Sequence, residues 1–153
     1  MSENTVTEQT TQVYSIFIRA TPEQVWDAIT KPEFTKQYFY GSAFDSTLER
    51  GARCAWNAED GSPLVEGEVI EATAPSKLVT TWQALWMPDL AVEPPSRVSW
   101  EIEPQEGGVT KLTVVHDQLD ESPKTAENVA GGWELVLSGA KTVLETGEPL
   151  ERR

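Results

Sequence analysis

The sequence predicts an α+β fold: a curved antiparallel sheet of about six to seven strands wrapped around a long C-terminal helix, with two short helices after the first strand. Three observations carry this. Segment 122–150 places apolar residues at helical spacing. Most of segment 43–117 alternates with a period of two. Between the first strand and that block sits a helix start, Thr21-Pro22-Glu23-Gln24.

The helix comes first because everything else must cover it. Val129, Trp133, Val136, Leu137, Ala140, Val143 and Leu144 recur at i, i+3, i+4, i+7, with Glu134, Ser138, Lys141 and Glu145 opposite. Ser122 is placed to cap its start, with Pro123 in the first turn, and Gly147 followed by Pro149 stops it. Gly131, Gly132 and Gly139 each cost roughly 1 kcal/mol against alanine in a helix interior. Burying the seven stripe residues returns roughly 10 kcal/mol as an upper bound, so the helix needs a large partner. Gly132 and Gly139 lie seven apart on one flank, which permits either close backbone packing or open space for a ligand. Gly131 falls on the outer face, where the stripe gives it no role.

In chain order, residues 1–11 are polar and expected to form a frayed tail ahead of one domain over 12–150. Segment 13–20 reads as a strand with Tyr14, Ile16 and Ile18 on one face. Thr21 caps the next helix, Pro22 takes its first position and Gln24 completes a capping box; Val25, Trp26 and Ile29 turn inward. A second helix, 33–39, brings Phe34, Tyr38 and Phe39 inward and ends at Gly41. Strands are expected at 43–47 and at 53–57, the latter with Cys54 and Trp56 inward. The turn containing Asp60-Gly61 leads to the pair 64–72 and 77–84, with Leu78, Thr80 and Trp82 on one face. Segment 85–95 is irregular and apolar, the composition of a loop that covers something. Val98, Trp100 and Ile102 alternate with polar residues over 97–103, and Leu112, Val114 and His116 share a face over 110–117. Each clear strand thus has one dry face, and the helix is the element large enough to cover it.

Composition excludes several function classes. The 153 residues carry 25 acids against 12 bases, a formal net charge of −13, which opposes binding to nucleic acid or anionic membrane. An acid excess of this kind aids solubility. The single cysteine, Cys54, permits no internal disulfide, and no apolar run approaches the ~18 residues of a membrane span; a cytoplasmic location is expected. One histidine and one cysteine make no metal cluster, and no carboxylate spacing suggests one; neither metal nor cofactor is expected. Oligomeric state is left open, with a homodimer allowed.

The order of elements and several motifs resemble the SRPBCC (START/Bet v 1-like) superfamily of helix-grip folds. Within it the likeness is to the family homologous to the activator of the heat-shock protein 90 ATPase. The residues carrying it are IRATPEQVWDAIT over 18–30 with Pro32, Gly51, and GEVIE over 67–71 leading to Pro75 and Leu78. They continue with Thr81-Trp82, PSRVSW over 95–100, TKLTVVH over 110–116, and Gly132-Trp133. The likeness covers roughly 12–147. It implies a deep cavity between sheet and long helix, where superfamily members hold hydrophobic molecules. Some relatives are polyketide cyclase-like enzymes, dehydrases or hydrolases, and many only bind. The eukaryotic activators carry an additional N-terminal chaperone-binding domain, whereas one domain is expected here. The family offers no shared catalytic motif to transfer.

The residues that could carry chemistry each have a structural reading beside the functional one. His116, at cavity-facing parity, could act as general base or orient a polar ligand group; equally it is a structural histidine bonded near its strand end. Among the six tryptophans, Trp56, Trp82 and Trp100 share the inward parity, Trp133 projects from the helix stripe and Trp86 lies in the covering loop, whereas Trp26 belongs to the core. Indoles offer faces for an aromatic or lipid-like ligand, but they also serve as core. Cys54 reads as an apolar filler rather than a nucleophile. Arg53 and Arg97 lie at outward parity. The sequence thus points to a small hydrophobic ligand held by a carrier or sensor, with Tyr38, Tyr40, Trp56, Trp82, Trp86, Trp100, Val114, His116, Gly132, Trp133 and Val136 as candidate lining. Two alternatives stand beside it: an enzyme on a cyclic or polyketide-like substrate, with His116 as acid or base and Tyr38 or Tyr40 assisting, and a chaperone-interaction module.

Overall fold

The computed structural model describes residues 11–150; the expected frayed tail falls almost wholly outside the described residues. Among these residues seven strands form one antiparallel sheet: β1 (Gln12–Ile18), β2 (Ala43–Asp45), β3 (Arg53–Asn57), β4 (Pro63–Thr73), β5 (Lys77–Ala84), β6 (Ser96–Pro104) and β7 (Thr110–Asp117). Their order is β1-β7-β6-β5-β4-β3-β2. Register irregularities between Val69 and Glu71 and between Trp56 and Asn57 bend the sheet at β4 and β3. The helices are α1 (Pro22–Thr30), α2 (Pro32–Tyr38), α3 (Pro88–Ala91), α4 (Pro123–Val129) and α5 (Gly132–Thr146). This is the helix-grip α+β architecture.

The period-two segments become strands because one parity can be buried entirely. Leu78, Thr80 and Trp82 of β5, Val98, Trp100 and Ile102 of β6, and Leu112, Val114 and His116 of β7 are all buried. Pairing aligns them in rows: Thr80 opposite Val98 opposite His116, and Leu78 opposite Trp100 opposite Val114. On the other parity Arg97 grips Asp117 across the β6–β7 pair with bonds of 2.9 and 2.7 Å. The apolar face is covered by α5, whose Trp133, Val136, Leu137, Ala140 and Val143 are buried. Helix α5 also closes the free edge of β1. Lys141 Nζ donates to Phe17 O at 2.7 Å, and Arg19 N donates to Glu145 Oε2 at 2.8 Å.

The capping box at the start of α1 forms, with Gln24 N donating to Thr21 Oγ1 and Thr21 N to Gln24 Oε1. Other expectations need correction. The strand over 43–47 is only Ala43–Asp45, and the loop over 85–95 contains the short helix α3, whose Leu90 is fully buried.

The largest correction concerns the single helix over 122–150, which is two. Ala130 is extended (φ −61°, ψ 127°) and Gly131 is left-handed (φ +82°), so the chain breaks between α4 and α5. Glycine takes that conformation without the steric cost an L-residue meets, which supplies the role the stripe could not. The break was invisible to periodicity because Val129 and Trp133, four apart across it, are both buried. Ser122 caps nothing: its Oγ donates to Pro94 O at 2.7 Å. The orphan N–H groups of α4 are taken by Glu93, whose carboxylate accepts from Lys124 N (3.0 Å), Thr125 N (2.8 Å) and Thr125 Oγ1 (2.7 Å). A residue from the covering loop therefore fastens that loop to the helix. Gly147, left-handed at φ +81°, ends α5 as expected.

Candidate functional site

Between the first two turns of α5 and the sheet lies a cavity of about 340 Å³. Its walls come from every element that meets there: Phe39 and Tyr40 after α2, Leu64 on β4, Trp82 on β5, Trp86 in the covering loop, Asn128 and Val129 on α4, and Gly132, Trp133 and Val136 on α5. None of these residues is charged. The rings form a connected wall. Trp82 meets Trp86 at 5.9 Å and Trp133 at 5.8 Å between centroids, and Phe39 meets Trp133 at 5.9 Å, edge to face. Tyr40 is exposed and left-handed (φ +53°), and Trp86 is 39% exposed, so these two stand at the rim.

One polar chain holds this wall. Trp133 Nε1 donates to His116 Nδ1 at 3.0 Å, so Nδ1 must be the unprotonated nitrogen. Nε2 then carries the proton and donates to Ser96 Oγ at 2.7 Å, and Ser96 Oγ donates onward to Trp82 O at 3.2 Å. Trp82 on the sheet and Trp133 on α5 are thus tied through one neutral imidazole. Burial pushes the His116 pKa down to about 3, against a small opposing pull from Asp117. The ring is fully buried, both nitrogens are engaged, and it does not line the cavity. On this geometry His116 is a positioning residue for two tryptophans.

Of the residues the sequence proposed, Tyr40, Trp82, Trp86, Gly132, Trp133 and Val136 meet around the cavity. The other five stand elsewhere. Trp56 stacks on Phe39 at 5.8 Å and packs against Phe44 at 4.9 Å, deeper in the core. Trp100 supports Trp133 edge-on at 5.6 Å, Val114 is buried beside it on the sheet, and His116 sits behind the two indoles. Tyr38 faces away: its hydroxyl donates to Ala28 O at 2.6 Å, burial raises its pKa, and its outer side borders a separate groove of about 550 Å³ with Leu135, Gly139 and Leu150. Sequence reasoning did not assign Phe39, Leu64, Asn128 or Val129 to the site. Phe39 carried an inward signal and Val129 a place in the stripe. Leu64 and Asn128 had none, because they enter the site only through the register of β4 and the break after α4.

Cys54 is fully buried and burial pushes its thiol up to about 11, which fits a filler. Trp82 Nε1 and Trp100 Nε1 are buried without an acceptor among the described residues. No group of three or more His, Cys, Asp or Glu able to hold a metal occurs among the described residues, and no helix there is long and apolar enough to cross a membrane.

Solved structures share this fold at low identity. DynU16, from the dynemicin biosynthetic locus, superposes with a TM-score of 0.75 at 22% identity over 92% of this chain; this chain spans about half (49%) of that protein. An HSP90 activator from Plasmodium falciparum gives 0.71 at 23%, covering 92% of this chain and 98% of that one. The Aha1 dimer from Colwellia psychrerythraea gives 0.70 at 19%, covering 90% and 97%. No curated protein matches the sequence. Residues 19–145, most of the described domain, match the family described as Activator of Hsp90 ATPase homolog 1-like protein, and the chain belongs to that family.

Proposed function

We propose that this protein binds a small hydrophobic molecule, aromatic or lipid-like, in the cavity between the sheet and α5, as a carrier or sensor. The observation that carries the reading is the cavity itself: about 340 Å³, within the range of real ligand sites (~300–1,000 Å³), and walled by apolar and aromatic side chains. Three of its wall residues are tryptophans, so occupancy reports itself. Titration with the neutral fluorophore N-phenyl-1-naphthylamine should quench tryptophan emission saturably with one site per chain. Emission that changes only linearly with probe, or not at all, sinks the reading. Native mass spectrometry of protein purified from its own cell then weighs the natural ligand.

A chaperone-interaction reading is favoured by one separate observation. The outer groove is bordered by exposed Tyr40, Leu135 and Leu150 together with Lys36 and Gln37, on the flank of α5 next to the cavity, with Tyr40 standing between the two. Two proteins of the same fold are named as an HSP90 activator and an Aha1 dimer. Retention of a purified Hsp90-type chaperone on immobilised protein, lost on Leu135→Asp, is the expected result of that reading. A homodimer is carried over from the second of these proteins only as a proposal, checked by sedimentation equilibrium.

A further inference from the structure

We propose that the cavity selects an uncharged ring compound bearing a hydrogen-bond donor at its outer end, and that Asn128 reads that donor. This rests on the cavity being the ligand site and adds the chemical class of what enters it.

Charge is the first discriminator. No lining residue is ionic, and the two arginines of the sheet are committed elsewhere: Arg97 to Asp117 with two bonds, Arg53 to Glu66. A carboxylate moved into this site would lose its water and meet no cation, and the formal net charge of −13 adds a long-range penalty. Fatty-acid anions and aromatic acids are therefore selected against. A cation would gain from the net charge, but it needs a carboxylate or free ring faces. No Asp or Glu lines the cavity. The rings of Trp82, Trp133 and Phe39 are turned on one another at 5.8 and 5.9 Å, and Trp82 is further engaged by the His116 ring at 4.8 Å, while Trp86 stands at the solvent-open rim, where a cation gains little from a ring. Neutral compounds are what remains.

The donor preference comes from what the polar groups of the lining already do. The Trp133 N–H is spent on His116. The Trp82 N–H lacks an acceptor among the described residues but is buried out of contact with the cavity space, and the Tyr40 hydroxyl can donate or accept and so favours neither class. Asn128 Nδ2 donates to Lys124 O at 3.1 Å, the preceding turn of α4, which fixes the amide and leaves Oδ1 as an acceptor with no donor among the described residues. Asn128 is exposed, so it stands at the rim, while the walls contributed by Leu64, Val129 and Val136 are apolar. A phenol or aryl amine seated with its ring among the indoles would meet Oδ1 with its O–H or N–H.

Four probes of one ring size test this: 2-naphthol (neutral donor), 2-methoxynaphthalene (neutral, no donor), 2-naphthoate (anion) and 2-naphthylmethylammonium (cation), each titrated at pH 7 by tryptophan quenching and calorimetry. Naphthol should bind at least ~100-fold more tightly than naphthoate and well above the ammonium. It should exceed methoxynaphthalene about fivefold, the worth of one hydrogen bond. Asn128→Ala, on an exposed position, should abolish that last preference by weakening naphthol alone. Saturable binding with naphthoate or the ammonium as tight as naphthol overturns the charge selection. An Asn128→Ala variant that keeps the naphthol preference, or weakens both neutral probes equally, overturns the donor reading. Failure of all four to saturate removes the cavity as a ligand site and this inference with it.

Discussion

The two halves of α5 start from the same sequence pattern and do opposite things. Gly132 and Gly139 lie seven residues apart on one flank of one stripe. A Cβ on Gly132 would meet only the Tyr40 hydroxyl, at 3.1 Å, beside the cavity. A Cβ on Gly139 would meet Tyr38 Cβ at 2.8 Å, with Tyr38 Cα and O close behind. The first glycine borders open space and the far end of a movable side chain. The second is jammed against the root of a residue whose own hydroxyl is tied to Ala28 O. On its buried face the first half of the helix is held by a polar chain through Trp133 and His116 and the second by close packing, while Lys141 and Glu145 tie the second half's outer side to Phe17 and Arg19. Hydrophobic spacing does not distinguish an interface from a wall of a cavity; what faces the glycine decides.

The strongest way to break this contrast is to charge the histidine that the first half relies on. Its folded pKa, about 3, lies below the ~6.5 of an unfolded histidine. Between those values the unfolded chain binds a proton that the folded protein refuses, so stability is complete above ~6.5 and falls as pH drops toward 3. The slope is about 1.4 kcal/mol per pH unit and the total about 4–5 kcal/mol. Carboxylates titrate in the same window, so the readout is a difference. Urea midpoints from pH 4 to 7 should converge between wild type and His116→Gln as pH falls, since the variant keeps an acceptor for Trp133 but cannot charge. Parallel profiles would remove the buried neutral histidine from the account.

Trp133→Phe attacks the same half without protons. It leaves His116 Nδ1 buried without a donor, at roughly 1–3 kcal/mol, and removes part of an indole from the cavity wall. A loss of about 3 kcal/mol, or roughly 6–12 °C in Tm for a chain of this size, is expected by calorimetry. Trp133→Phe combined with His116→Leu should cost clearly less than the sum of the two single changes, because each removes the other's stranded partner. Full additivity would dissolve the coupling between Trp133 and His116.

How far this contrast was legible follows from what each part depends on. The strands over 53–57, 77–84 and 110–117 coincide with β3, β5 and β7 because alternation reports burial of one face directly. The capping box of α1 was equally readable, being local and within four residues. The break at Gly131 was not, since a left-handed joint leaves the apolar spacing of Val129 and Trp133 intact. Glu93 as the cap of α4 was not either, because it lies some thirty residues upstream and reaches the helix only through the fold. In the candidate site, inward strand parity brought Trp82 to the cavity and the helix stripe brought Trp133, while Trp56, Trp100 and Val114, which share the strand parity, stand at positions deeper in the core. Parity selects a face, and distance along the face from the cavity mouth requires the register.

Gly139→Ala and Gly132→Ala measure the contrast itself. At 139 the new methyl gains about 1 kcal/mol of helix propensity but must displace Tyr38 near its backbone, an overpacking that costs roughly 1–3 kcal/mol. A net loss of about 1 kcal/mol is expected in urea, some 3 °C in Tm, with probe affinity for the cavity unchanged. At 132 the propensity gain faces only the end of the exposed Tyr40 ring, which can swing outward by the few tenths of an ångström needed. Stability should stay level or rise by up to ~0.5 kcal/mol, while the methyl narrows the cavity and lowers N-phenyl-1-naphthylamine affinity about threefold. The two variants thus exchange their effects, one touching stability and the other affinity. If Gly132→Ala destabilises as much as Gly139→Ala and leaves affinity alone, both glycines serve packing, and the cavity end of α5 is no different from its closed end.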